Sequence, residues 1–296
     1  MSKLESAFSK ALKERSELEA RTALNKQVDG APSTQVPVAD STAASDLGVS
    51  GPSGENQKVG RPLPSKQQIK RMAQGRILSN SELAKRRIVH PKMKDSNLLN
   101  VYRNLRTNLL SKTGTKNFTI MTTSVVPGGG SSLISANIAA TFALDEGKTA
   151  LLIEGNVHQP SLEKLFDTED ASGEPRTGLM DYLESDDLSV SDIIHETGIP
   201  RLRFIPVGNR SEDTTEHFTS AKMAQFLKEI SERYPDRYPI IDAPSIMDSA
   251  DARILVELCD QVILVIPYGL CSEEDIRKSV DGIGSEKLTG VVLNQF

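Results

Sequence analysis

The chain has no tryptophan among its 296 residues, only two cysteines, and an aromatic content of 4%. Cys259 and Cys271 stand too far apart for a Cys-x-x-Cys redox or zinc pair, and two cysteines make no disulfide framework. The four histidines (His90, His158, His195 and His217) show no metal-ligand spacing with the cysteines or with each other. No apolar run approaches the roughly 18 residues of a membrane span. The opening Met-Ser-Lys-Leu-Glu-Ser is too charged for the apolar core of a secretory signal. These absences argue against a secreted, disulfide-stapled or membrane-spanning protein and point to a reducing cytoplasm.

Aromatic residues are also unevenly placed, with none between residues 9 and 101. Charge divides nearby. Residues 1–95 carry 17 Lys/Arg against 10 Asp/Glu, and residues 96–296 carry 18 against 30, which together give the net −5. A segment poor in large apolar groups cannot offset a backbone ordering entropy of about 1–2 kcal/mol per residue. Residues 1–95 are therefore expected to form a flexible basic arm. Within it, Leu4, Ala7, Phe8, Ala11 and Leu12 predict a short amphipathic helix near 3–20, a docking helix or one lying on the protein itself. Residues 30–65 read as a Gly/Pro/Ser/Thr linker. Residues 66–94 hold nine Lys/Arg against Glu82 alone, a run suited to phosphates or an acidic surface. Without interleaved aromatics or a recognisable fold, nucleic acid is the weaker expectation.

From residue 96 the pattern changes. Leu98, Leu99, Tyr102, Leu105, Leu109 and Leu110 predict a helix with one buried face. Apolar runs at 118–122, 150–153, 202–207, 239–241, 262–266 and 291–293 then alternate with helical patterns near 132–146, 219–233, 249–258 and 272–283. Continuous apolar strands between helices predict an α/β domain over 96–296: a mostly parallel sheet with helices on both faces.

Ligands of such sheets bind at the carboxyl ends of the strands. The first strand-to-helix turn reads Thr123-Ser124-Val125-Val126-Pro127-Gly128-Gly129-Gly130-Ser131-Ser132. Three glycines let backbone N–H groups curl around an anion, and the following helix adds its dipole. A phosphate loop also needs Lys just before its final Ser, and here that position is Ser131. Two further strands end in acids, Glu154 followed by Gly155-Asn156, and Asp242 followed by Ala243-Pro244. The second resembles a magnesium-orienting strand end.

With these residues in place, Phe118 to Asn294 and the preceding Tyr102-Arg103-Asn104-Leu105-Arg106-Thr107-Asn108 resemble the cytoplasmic domain of the bacterial tyrosine kinases of capsule and exopolysaccharide export. Gln159-Pro160-Ser161-Leu162, the Asp242-x-Pro244 turn, Asp251-Ala252 and Gly290-Val291-Val292-Leu293-Asn294 carry the likeness, and Arg233-Tyr234-Pro235-Asp236-Arg237 points to the exosortase-associated subgroup. The resemblance implies a P-loop fold shared with the partitioning ATPases. It also implies phosphate binding by Gly128, Gly129, Gly130, Ser131 and Ser132, magnesium at Ser132 and Asp242, a base contact from Asn294, and oligomerisation through Asn100, Arg103 and Arg106. The implied partners are a membrane-bound chain-length or export protein, an active kinase paralogue or further copies of the chain, with recruitment to the inner face of the membrane by such a partner.

Departures from the family pattern set the functional expectation. The family has Lys at Ser131, Asp at Glu154 and Asn156, usually Arg at His158, and Glu at Asn100. The tail lacks the family's tyrosine cluster, since Tyr102, Tyr182, Tyr234, Tyr238 and Tyr268 are dispersed. A hydrogen bond from a charged donor contributes about 1.5–3 kcal/mol, so losing the Lys weakens nucleotide binding roughly 10- to 150-fold. Weak ATP or ADP binding with magnesium remains compatible with this, and neither is required. Phosphoryl transfer depends on positioning and charge neutralisation, and the Ser131 and Asn156 exchanges strike it twice. The expectation is a degenerate kinase acting as a regulatory or scaffolding subunit. One alternative is an active autokinase using Glu154 and Asp242 around magnesium, with Arg103 or Arg106 of a neighbour, or a basic residue of the arm, replacing the Lys. Another is a positioning ATPase of the partitioning type, although Ser124-Val125-Val126 lacks the Lys such proteins carry early in the loop.

Overall fold

In the computed structural model, residues 77–113, 117–166, 176–210, 213–233 and 236–295 are described. The chain divides into two units, Met1–Lys58 and Val59–Phe296, and every described residue lies in the second. The helix predicted near 3–20 and the linker 30–65 fall outside the described residues.

Seven strands form one sheet: β1 (Ile120–Ser124), β2 (Thr149–Glu154), β3 (His195–Glu196), β4 (Leu202–Ile205), β5 (Arg237–Asp242), β6 (Gln261–Pro267) and β7 (Leu288–Asn294). Their spatial order is β3-β4-β2-β5-β1-β6-β7, and every pairing is parallel except β3 with β4. The helices are α1 (Asn80–Lys85), α2 (Ser96–Thr113), α3 (Ser131–Ala143), α4 (Glu163–Phe166), α5 (Leu179–Glu184), α6 (Thr214–Thr219), α7 (Ala221–Arg233), α8 (Ala250–Leu258) and α9 (Glu273–Ile283).

Alternate strand residues enter two cores. Met121, Leu151, Ile153 and Ile241 point to the face covered by α5 to α9, where Phe218, Phe226, Ile230, Leu255 and Ile276 pack. Ile120, Leu152 and Ile240 point to the other, with Leu83 of α1, Leu99, Tyr102 and Leu109 of α2, and Phe142 of α3. Both faces are thus apolar, which is why the strands read as continuous apolar runs rather than alternating ones. The predicted α/β, P-loop-type architecture is the observed one. Among the described residues, no helix is long and apolar enough to cross a membrane.

Two expectations are corrected in detail. The predicted helix 219–233 is preceded by a separate turn of helix, α6, with a break at Ser220. There the backbone is extended (φ −67°, ψ 151°), and the Ser220 hydroxyl accepts the Met223 N–H at 3.2 Å to start α7 afresh. The boundary at residue 95 also lies too late. Leu78, Leu83, Ile88 and Val89 are buried in the second core, so at least the last part of the expected arm is packed chain. A capping box between Ser79 and Glu82 starts α1. Asn137 of α3 then grips the segment after it, its Oδ1 accepting the Val89 N–H at 2.7 Å and its Nδ2 donating to the Arg87 carbonyl at 3.1 Å. Aliphatic side chains and one amide clamp do what the missing aromatics were expected to do.

Candidate nucleotide site

β1 ends at Ser124 and α3 begins at Ser131, so the glycine turn joins the central strand to a helix buried from Ile134 to Ala143. Gly130 takes the left-handed conformation (φ 87°) as the residue before α3, and Gly128 does so at φ 71°. A Cβ on Gly129 would stand 2.7 Å from the Ser124 Cβ, so no larger residue fits there without moving β1. Glycine is therefore required by the backbone at 128 and 130 and by close packing at 129. Asn294, expected at the base, donates its Nδ2 to the Gly129 carbonyl at 3.0 Å and ties the end of β7 to the loop.

The two predicted acids face each other across adjacent strands, Glu154 being in register with Asp242. Both are fully buried. Asp242 Oδ1 accepts the Ser135 hydroxyl at 2.9 Å, and Glu154 Oε2 accepts the backbone N–H groups of Leu162 at 2.8 Å and Ser161 at 3.1 Å. The other two oxygens, Asp242 Oδ2 and Glu154 Oε1, are buried without a donor. Burial pushes the Asp242 carboxyl up to about 7, against the pull of the Ser132, Ser135, Glu154 and Ser131 side chains. Burial, then the Asp242 charge, also holds Glu154 well above the usual carboxylate range, despite the Leu162 and Ser161 N–H groups. Among the described residues, no lysine or arginine forms an ion pair or a side-chain hydrogen bond with either carboxyl. The pair accordingly favours holding a proton near neutral pH.

Two buried carboxyl oxygens without donors beside the Ser132 hydroxyl suit a hard divalent cation such as magnesium. Among the described residues no three His, Cys, Asp or Glu converge on one point, so such an ion would draw its other ligands from phosphates or water. Asn156, expected to stand for a catalytic Asp, accepts the Gln159 N–H at 3.2 Å and shapes its own loop.

Of the three residues implied in oligomerisation, Asn100 and Arg103 are exposed on α2. Arg106 is half-buried and donates to the Thr141 carbonyl at 2.9 Å, near the end of α3. Sequence reasoning missed Ser135, although its place one turn after Ser131 on the same helix face was a usable signal. It also missed the link between His158 and α8, where Nε2 lies 3.3 Å from a nearly buried Asp251 carboxylate that also accepts the Thr215 hydroxyl at 2.7 Å. Cys259 is a buried packing residue whose thiol burial pushes far up.

A glycine loop between a central parallel strand and a buried helix, flanked by acids at two neighbouring strand ends, defines the P-loop class of α/β proteins. No protein-family model matches the chain. It is 32% identical over 214 residues to the tyrosine-protein kinase CpsD of Streptococcus agalactiae, covering 70% of this chain and 87% of that one. It is 27% identical over 211 residues to the putative tyrosine-protein kinase CapB of Staphylococcus aureus, covering 70% and 88%. Among solved structures, the chimerical protein CapA2B2 superposes with a TM-score of 0.62 at 25% identity, over 77% of this chain and 98% of that one. The chain belongs to the bacterial tyrosine-kinase family of capsule and exopolysaccharide biosynthesis.

Proposed function

We propose that this chain is a catalytically degenerate member of its family, serving as a regulatory or scaffolding component of capsule or exopolysaccharide biosynthesis and export. The observation that carries the reading is Ser131 at the phosphate-lysine position, beside a carboxyl pair that, among the described residues, no lysine or arginine pairs with. An active site for phosphoryl transfer needs cations around the moving phosphate. This one presents backbone N–H groups, hydroxyls and two acids.

The residues retain a binding role. The amides of Gly128 to Gly130 and the start of α3 offer donors to an anion. Ser132 and Asp242 would hold magnesium if it enters with a nucleotide, and the ion would supply the positive charge that Ser131 does not. Glu154, fixed by Ser161 and Leu162, would stand behind them. ATP or ADP binding of this kind is weak, and the acidic composition of 96–296 opposes it further. The protein works in the cytoplasm and reaches the inner face of the membrane through a membrane-bound chain-length or export protein, or through an active kinase paralogue. Self-association would use the α2 face carrying Asn100 and Arg103, with Arg106 acting from within through α3.

Retention of the buried acid pair favours a second reading, an active autokinase that borrows a cation. Arg103 of a neighbouring copy is the candidate, because Arg106 is committed to Thr141. Labelled ATP with magnesium separates the two. Degeneracy predicts no transfer to tyrosine beyond that of an Asp242→Asn variant, and transfer that depends on Asp242 and Arg103 would establish the autokinase.

A further inference from the structure

The end of α1 and the segment leading to α2 carry cations with no internal task. Lys85, Arg87, Lys92 and Lys94 are exposed, and among the described residues none of their side chains has an ion pair or hydrogen bond. Several cations elsewhere on the domain are paired instead. Lys222 reaches Asp186 at 3.0 Å, Lys278 reaches Glu274 at 2.7 Å, and Lys287 reaches Glu257 at 3.2 Å. In this segment the exception is Arg86, which donates to the Leu165 carbonyl. Glu82, the one acid of 66–94, spends its carboxylate on the Ser79 N–H and hydroxyl at 2.8 and 2.7 Å. Ile88, Val89 and the Asn137 clamp fix the strap to α3, so the free cations are presented from an anchored backbone. Ile77, 60% exposed, stands at its head. In sequence the charge continues upstream through Lys66, Lys70, Arg71 and Arg76.

We propose that this strap docks directly on an anionic lipid surface, through Lys85, Arg87, Lys92 and Lys94. Clusters of four to eight Lys/Arg beside a membrane draw anionic headgroups. The acidic body does not forbid it, because charges more than roughly 8–10 Å from the surface are screened at physiological salt. An exposed isoleucine has a use at the headgroup boundary and none against a phosphodiester backbone. The absence of aromatics from 9 to 101 removes the stacking partners that nucleic-acid readers use. This contact does not depend on the state of the nucleotide site, so its failure would leave the proposed function standing.

The test is cosedimentation of the full chain with vesicles of phosphatidylcholine alone or mixed with phosphatidylglycerol, at low and high salt. The expected result is binding to the mixed vesicles only, suppressed by salt. Lys92→Gln with Lys94→Gln should weaken it roughly 25-fold, at about 5-fold per lost cation. Arg277→Gln with Lys278→Gln, whose charges are already paired, should leave it unchanged. Absent binding, equal binding to neutral vesicles, an unaffected Lys92/Lys94 variant, or duplex DNA that displaces the vesicles would each overturn the proposal.

Discussion

At the scale of single residues, Glu154 and Asp242 set the chemistry. Their carboxyls hold a proton to higher pH in the folded protein than in the unfolded chain, where an Asp titrates near 3.9. The stability this contributes is fully present below about pH 4 and is lost as pH rises through about 7. Melting temperature should therefore fall from pH 5 to pH 8. Asp242→Asn should flatten that slope by up to about 1.4 kcal/mol per pH unit. An unchanged slope in a pH series of denaturant melts would show that the pair is ionised throughout. Magnesium binding has the opposite sign, since it displaces the proton, and should strengthen as pH rises through the same window. Gly129→Ala tests the loop. Its Cβ would meet Ser124 of β1 at 2.7 Å, so the variant should lose stability and whatever anion binding the loop retains, by thermal melts with and without ATP.

Among the elements, α3 is the connector. It begins at the glycine loop, carries Ser135 to Asp242, grips the strap through Asn137 and receives Arg106 near its end. Asn137→Ala would leave the buried Val89 N–H without its partner, a cost of about 1–3 kcal/mol. For a domain of about 200 residues, at roughly 2–4 °C per kcal/mol, that is a fall in melting temperature of about 2–12 °C. Proteolysis near Arg86 and Arg87 should appear at the same time. A variant with wild-type melting and protection would mean the strap is held by Leu78, Ile88 and Val89 alone. The strands and main helices were legible because apolar runs and helical spacing are local signals. The strap was not, because its burial depends on Asn137, some 50 positions away in sequence. The Arg106 contact was hidden for a similar reason: nothing in its own helix reveals that Thr141 accepts from it.

Over the whole molecule, composition divides the chain in charge near residue 95, although the strap before it packs on the same core as the sheet. The basic side carries the strap, and the acidic side carries the sheet and its loop. The motif positions were legible, since the glycine turn, Glu154 and Asp242 all lie at the ends of neighbouring strands. They could not show that both acids are fully buried, or that Asn156 is engaged in its own turn, because both depend on the packed loops. The degenerate reading stands on the missing lysine. It is tested most directly by titrating ATP with magnesium into the wild-type chain and into Ser131→Lys, following heat or melting temperature. The account predicts weak or undetectable binding by the wild type and a gain of roughly 10- to 150-fold from the restored lysine. Tight binding by the wild type that Ser131→Lys leaves unchanged would contradict it.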